Sequence, residues 1–130
     1  MTTQIKLDFD NITEDVLVDI FRNRKFVWAY FKLTPKYVIV MRTEHGFHVY
    51  IEVEEDLDDL DLAFIQLALG DDFKRACFNW TRARLGIPNW NVLFTNSEKE
   101  FLPNLSKKVF EVIVKRGEKA DVGSEKAGAE

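Results

Sequence analysis

The stretch KYVIVMRTEHGFHVYIEV, Lys36 to Val53, consists of two runs of β-branched and aromatic residues separated by Glu44-His45-Gly46. Such runs, broken by a turn that contains glycine, predict a β-hairpin. With His45-Gly46 as the loop residues and Gly46 supplying a positive φ, Thr43 is expected opposite His48, Met41 opposite Tyr50 and Ile39 opposite Glu52. Alternation puts Val38, Val40, Val49, Ile51 and Val53 on a core face. It puts His48, Tyr50 and Glu52 together on the opposite face, whatever the loop length.

Working outward, QIKLDF alternates Ile5, Leu7 and Phe9 against Lys6, Asp8 and Asp10, which predicts a half-buried strand. NITEDVLVDIFRNR carries the cap candidates Asn11 and Thr13, then Val16, Leu17, Ile20 and Phe21 at helical spacing. This helix is expected to run on into KFVWAYF and to stop at Thr34-Pro35. LDDLDLAFIQLAL predicts a second helix ending at Gly70, and Asp71 or Asp72 caps a third, closed by Gly86. On that third helix Phe73, Ala76, Cys77 and Trp80 form an apolar stripe, with Arg75, Asn79 and Arg82 on a polar face. NVLFT and KVFEVIVK read as further strands. The order predicts an α+β fold, a ferredoxin-like or RRM-like sandwich with a mainly antiparallel sheet and helices on one face. Its first and third strands are neighbours in mid-sheet, which brings Asp8, Asp10 and His48 together on the open face.

The 130 residues suit one domain, expected over 1–116, with 117–130 a disordered tail poor in large apolar residues. A net charge of −4 opposes bulk electrostatic coating of nucleic acid, although Lys74, Arg75, Arg82 and Arg84 cluster locally. The single cysteine, Cys77, excludes an internal disulfide, suits a reducing cytoplasmic setting and is expected to be a buried thiol. MTTQIKLDFD lacks the basic start and apolar run of a signal peptide, and no membrane span is expected. One cysteine and two histidines do not make a closed zinc site.

Two carboxylates one residue apart on a strand, Asp8 and Asp10, can hold a divalent metal together with a substrate phosphate. IKLDFD followed by RTEHGFHVYI resembles the first two motifs of the archaeo-eukaryotic primase and prim-pol superfamily. The resemblance covers about the first 55 residues and implies Mg²⁺ or Mn²⁺ on Asp8 and Asp10, with nucleotide-phosphate contact by His48. Where that superfamily has a further carboxylate on a later strand, NVLFTNSE offers Asn91, Thr95, Asn96 and, past the expected strand end, Glu98. GFHVYI, LGDDFKRACFNWTRARLG and NVLF also resemble a recurring set of small proteins of archaeal viruses and plasmids. Leu69, Gly70, Asp71, Asp72, Arg75 and Arg82 match that set, and Asn79 stands where it commonly has aspartate.

These resemblances imply a mobile-element protein in the host cytoplasm with a nucleic-acid or nucleotide role. Asp8 and Asp10 are the metal candidates, His48 the catalytic candidate, and Arg75, Arg82 and Tyr50 the phosphate and base contacts. If chemistry is retained, metal-dependent phosphoryl transfer or phosphodiester cleavage is its class; remnant binding without turnover is the favoured form. Each residue also has a structural reading. His48 is then a surface residue, Asp10, Asp71 and Asp72 are caps, and the arginines pair with nearby acids. The rival function is a non-catalytic interaction module, a homodimer through a strand edge or the sheet face.

Overall fold

The hairpin turns one residue earlier than expected, which shifts its cross-strand pairs by two residues. In the computed structural model, which describes residues 1–115, β2 (Pro35–Thr43) and β3 (Gly46–Val53) are joined by Glu44-His45. His48 therefore pairs with Met41, Tyr50 with Ile39 and Glu52 with Tyr37. Gly46 is the cause. It is a strand residue without a positive φ, packed beside β1 (Thr3–Asp10), where an added Cβ would lie 1.9 Å from the Phe9 carbonyl oxygen. A glycine required for backbone approach cannot also serve as a loop residue, so the turn moves back by one. The assignment of faces is unaffected: Val38, Val40, Val49, Ile51 and Val53 are all buried.

β1 pairs antiparallel with β3, placing Asp8 opposite His48 and Lys6 opposite Tyr50. A short β4 (Glu98–Phe101) joins the other edge of β2, giving the order β1-β3-β2-β4 with every neighbour antiparallel. The chain is thus α+β with a four-stranded antiparallel sheet. β1 is an edge strand, not the central strand expected. The two expected C-terminal strands are also corrected. NVLFT is irregular and leads into a 3₁₀ turn, Thr95–Ser97, while KVFEVIVK belongs to a helix, α5 (Pro103–Val114). The β-branched residues of KVFEVIVK suggested a strand. Pro103 nevertheless opens a helical turn, and Leu105, Val109 and Ile113 recur every four residues as one buried stripe.

α1 (Glu14–Asn23) starts at Thr13, whose hydroxyl accepts from the Val16 N–H, and buries Leu17, Val18 and Phe21. Its expected continuation breaks at Arg24-Lys25 before a short α2 (Phe26–Tyr30). α1 and α5 pack on each other, and α5 lies against β2 on the core face of the sheet. α3 (Asp59–Ala68) and α4 (Phe73–Arg84) form a helical pair beside β1, turning through Gly70 at φ +95°. Of the apolar stripe expected on α4 only Ala76 is buried: Phe73, Cys77 and Trp80 are exposed, and Asn79 and Ala83 face inward with Ala76. Cys77 is therefore not a buried thiol. α4 turns its small and polar residues inward because Arg75 and Asp71 are engaged at the open edge of β1, as shown below. Among the described residues no helix is long and apolar enough to cross a membrane. The tail expected over 117–130 lies outside the described residues.

Candidate functional site

An edge strand leaves every second backbone N–H and C=O without a ladder partner. On β1 three side chains and one backbone N–H from the α3–α4 pair and its turn supply the missing partners. Gln66 Oε1 accepts from the Lys6 N–H at 2.9 Å, and Asp71 Oδ1 accepts from the Asp8 N–H at 2.8 Å. Arg75 Nη1 donates to the Lys6 carbonyl at 3.1 Å, and the Asp72 N–H donates to the Asp8 carbonyl at 2.9 Å. Gln66 is itself held by Asn91 through paired amide hydrogen bonds of 2.8 and 3.0 Å. Asp71 is buried and also receives Arg75 Nη1 at 2.5 Å and the Asp72 N–H at 3.0 Å. Burial pushes its carboxyl up to about 6, against the opposing pull of Arg75 and the two backbone donors. The sequence Leu69-Gly70-Asp71-Asp72 with Arg75 thus has a structural cause, namely closing a sheet edge.

Arg75 has no donor left over. Its Nε and Nη2 reach the Val92 carbonyl, Nη2 also reaches Asn91 Oδ1, and Nη1 serves Asp71 and the Lys6 carbonyl. That uses all five N–H groups a guanidinium offers. These bonds give Arg75, expected as a phosphate contact, an edge-closing role in the fold.

On the face of the sheet away from the core, His48 and Asp8 sit side by side, as the alternation predicts. His48 Nε2 lies 3.5 Å from Asp8 Oδ1, and Nδ1 lies 3.1 Å from Glu98 Oε2. The same Glu98 oxygen accepts from the Tyr50 hydroxyl. Burial, then Glu98, raises the Tyr50 pKa. His48 is only 4% exposed, so it is not the surface residue that an open sheet face would give. Both ring nitrogens face carboxylates, which makes His48 a group that positions Asp8. Tyr50 is half-buried, with its hydroxyl held by Glu98 and its ring meeting His48 edge-on. Glu98 stands at the start of β4, and the misassigned strand before it hid its place at the site.

A cleft of about 540 Å³ opens beside this cluster. Asp8, Asp10, His48, Asp72, Lys74, Arg75, Asn79 and Arg82 line it, with Phe78 and Phe94 on its walls. The site candidates are thereby brought together, apart from Tyr50, which does not line the cleft. Burial, then the neighbouring charges of Asp10 and Asp72, raise the Asp8 pKa, while His48 and Arg75 pull it down. Phe94 is 79% exposed and was hidden in the expected strand; Phe78 lies 5.5 Å beneath the Arg82 guanidinium. The spacing of Lys74, Phe78 and Arg82 at i, i+4 and i+8 was the signal available for that wall. A larger cleft of about 840 Å³, between α1, α2 and α5, is lined by Arg22, Lys25, Lys108 and Glu111 and touches none of the sheet's polar residues.

Among the described residues no group of three or more His, Cys, Asp or Glu side chains could hold a metal ion. An all-protein cage is therefore absent there. Two carboxylates from one strand face still suit Mg²⁺ or Mn²⁺, ions commonly held by one or two carboxylates and completed by water and substrate phosphate. The raised Asp8 pKa, with Asp10 and Asp72 close by, marks a spot where a cation would relieve carboxylate repulsion. No family model, curated protein or solved structure matches this chain.

Proposed function

We propose that this protein binds a nucleotide or single-stranded nucleic acid in the cleft beside β1, as the degenerate counterpart of a primase-like site on a ferredoxin-like scaffold. Asp8 and Asp10 would hold a Mg²⁺ or Mn²⁺ that enters with the ligand's phosphate, and Arg82 and Lys74 would meet the phosphates. Once bound, the ion supplies charge neutralisation and Lewis acidity at the phosphate. Phe94 offers an exposed ring to a base. His48, bonded to Glu98 and 3.5 Å from Asp8, is placed to orient Asp8. Binding without turnover is the preferred form, in an intracellular protein of a mobile element.

The observation that carries this reading is the meeting of paired strand carboxylates, two cations and an exposed aromatic in one cleft. Fluorescence anisotropy with a labelled oligothymidylate, competed by a nucleoside triphosphate, tests it with and without Mn²⁺. The expected result is saturable binding that needs Mn²⁺ and is lost in Asp10→Asn. Absence of saturable binding of both ligands, with or without the ion, refutes it.

A second reading, an interaction module, has its own support. Tyr30 meets Phe31 edge-on at 5.0 Å and Phe31 meets Phe64 in a tilted pair at 5.9 Å, with Tyr30 and Phe64 exposed. Sedimentation equilibrium distinguishes it: a dimer that dissociates in Tyr30→Ala favours this reading, and a monomer at all concentrations excludes self-association.

A further inference from the structure

Three groups on α4 that can donate hydrogen bonds line the cleft, and none has an acceptor among the described residues. Asn79 is 2% exposed, and its Nδ2 is buried without a hydrogen-bond partner. A buried amide N–H left unpaired is uncommon and calls for a cause. Lys74 and Arg82, which flank it along the helix, have no carboxylate within ion-pair distance among the described residues. Arg82 instead lies over the Phe78 ring. The contrast with Arg75 on the same helix is sharp, because there every donor is used. The chain thus completes the donors of Arg75 and leaves those of Lys74, Asn79 and Arg82 uncompensated among the described residues, while Asp8, Asp10 and Asp72 gather negative charge in the same cleft.

Carboxylates and uncompensated donors sharing one cleft sized for a small molecule fit a ligand that brings both a metal and anionic oxygens. From Lys74 to Arg82 the helix advances about 12 Å, long enough for donors to meet successive phosphates rather than one. A terminal phosphate also presents three oxygens free of ester links, against two on a phosphodiester.

We propose that Lys74, Asn79 and Arg82 form an anion subsite that takes the phosphate chain of a polyphosphate, a nucleoside triphosphate or inorganic triphosphate. This rests on the reading above for the identity of the cleft, and adds its donor residues and ligand class. Asn79 is the residue whose hydrogen bond is made only when the ligand is present.

The test is calorimetric titration of inorganic triphosphate, with and without Mg²⁺, into wild type, Asn79→Leu, Arg82→Gln and Asp10→Asn, with the melting temperature of each variant recorded. Wild type is expected to bind. Asn79→Leu, which removes the unpaired amide at similar volume, is expected to keep or raise the melting temperature and to weaken binding about ten-fold, the loss of one buried hydrogen bond. Arg82→Gln is expected to weaken it at least as much.

Unchanged affinity in both α4 variants, with Asp10→Asn still impaired, overturns the subsite and leaves the metal-dependent reading standing. Loss of affinity in the α4 variants with no effect of Mg²⁺ or of Asp10→Asn supports the subsite and sinks the metal reading. No triphosphate binding by wild type overturns the subsite. Nucleoside triphosphate binding far more tightly than inorganic triphosphate, with the same variant losses, identifies the nucleotide as the source. Competition by an unphosphorylated oligonucleotide, itself weakened in the α4 variants, overturns the polyphosphate assignment in favour of a phosphodiester backbone.

Discussion

Replacing Asp71 by alanine probes the closure of the β1 edge. The substitution removes the acceptor for three donors at once: the Asp8 N–H at 2.8 Å, the Asp72 N–H at 3.0 Å and Arg75 Nη1 at 2.5 Å. Breaking a buried ion pair by removing one partner costs roughly 3–5 kcal/mol, because the remaining charge stays buried. That range already contains the relief of no longer burying the Asp71 carboxylate. A backbone N–H left unpaired adds about 1–3 kcal/mol, reduced here if water reaches the vacated space. About 4 kcal/mol at pH 7 is the expected loss, a large part of the roughly 5–15 kcal/mol that holds a domain together. For a domain of this size that lowers the melting temperature by about 15 °C. Urea denaturation followed by circular dichroism gives the free energy. Native-state hydrogen exchange should show the Asp8 amide losing its protection, with the β3 amides bonded to β2 less affected. A loss below about 1 kcal/mol, with Asp8 still protected, would show that the edge is not held by Asp71.

Gly46→Ala should be worse tolerated than an ordinary turn substitution, since its Cβ would sit 1.9 Å from the Phe9 carbonyl oxygen. A loss of at least about 3 kcal/mol in urea denaturation is expected, on the scale of overpacked sites. Stability should also depend on pH through Asp71, whose folded pKa of about 6 lies above its ordinary 3.8. The folded state holds the proton more tightly, so this contribution is full below about pH 4 and is lost as pH rises to about 6, roughly 3 kcal/mol in all. Measured against Asp71→Asn, wild type should lose ground over that window; a flat difference contradicts the assignment. Cys77 is exposed, so it should react with a thiol reagent in the native protein at a rate near that of a free thiol, without prior unfolding.

Sequence patterns revealed the elements whose faces are decided by period alone. Alternation in IKLDFD and FHVYIEV put Asp8 and His48 on one face, and the expected pairing of the first and third strands joined them, because the strand period survives a shift in loop length. Thr13, Gly70 and Asp72 marked helix ends through their own capping chemistry. The failures came where a long-range contact decides the outcome. Gly46 signalled a turn locally, but β1 needs its missing side chain. The β-branched KVFEVIVK has strand propensity, and tertiary burial of Leu105, Val109 and Ile113 overrides it. Phe73, Cys77 and Trp80 formed a plausible core stripe, yet the helix turns toward its polar row, because Arg75 and Asp71 complete the hydrogen bonds of an edge strand. Glu98 was offered only as a residue past the end of an expected strand; with NVLFT irregular and β4 beginning at Glu98, this carboxylate reaches His48 and Tyr50.

The most direct test of the cleft as a metal–phosphate site is a Mn²⁺ titration of isotopically labelled protein by NMR, with and without a nucleoside triphosphate. Paramagnetic broadening should begin at the amides of Asp8 and Asp10, strengthen when the triphosphate is present and disappear in Asp10→Asn. Broadening scattered over the surface acids, unchanged by the triphosphate or by Asp10→Asn, would mean that Asp8 and Asp10 hold no ion and that the cluster around His48 only builds the fold.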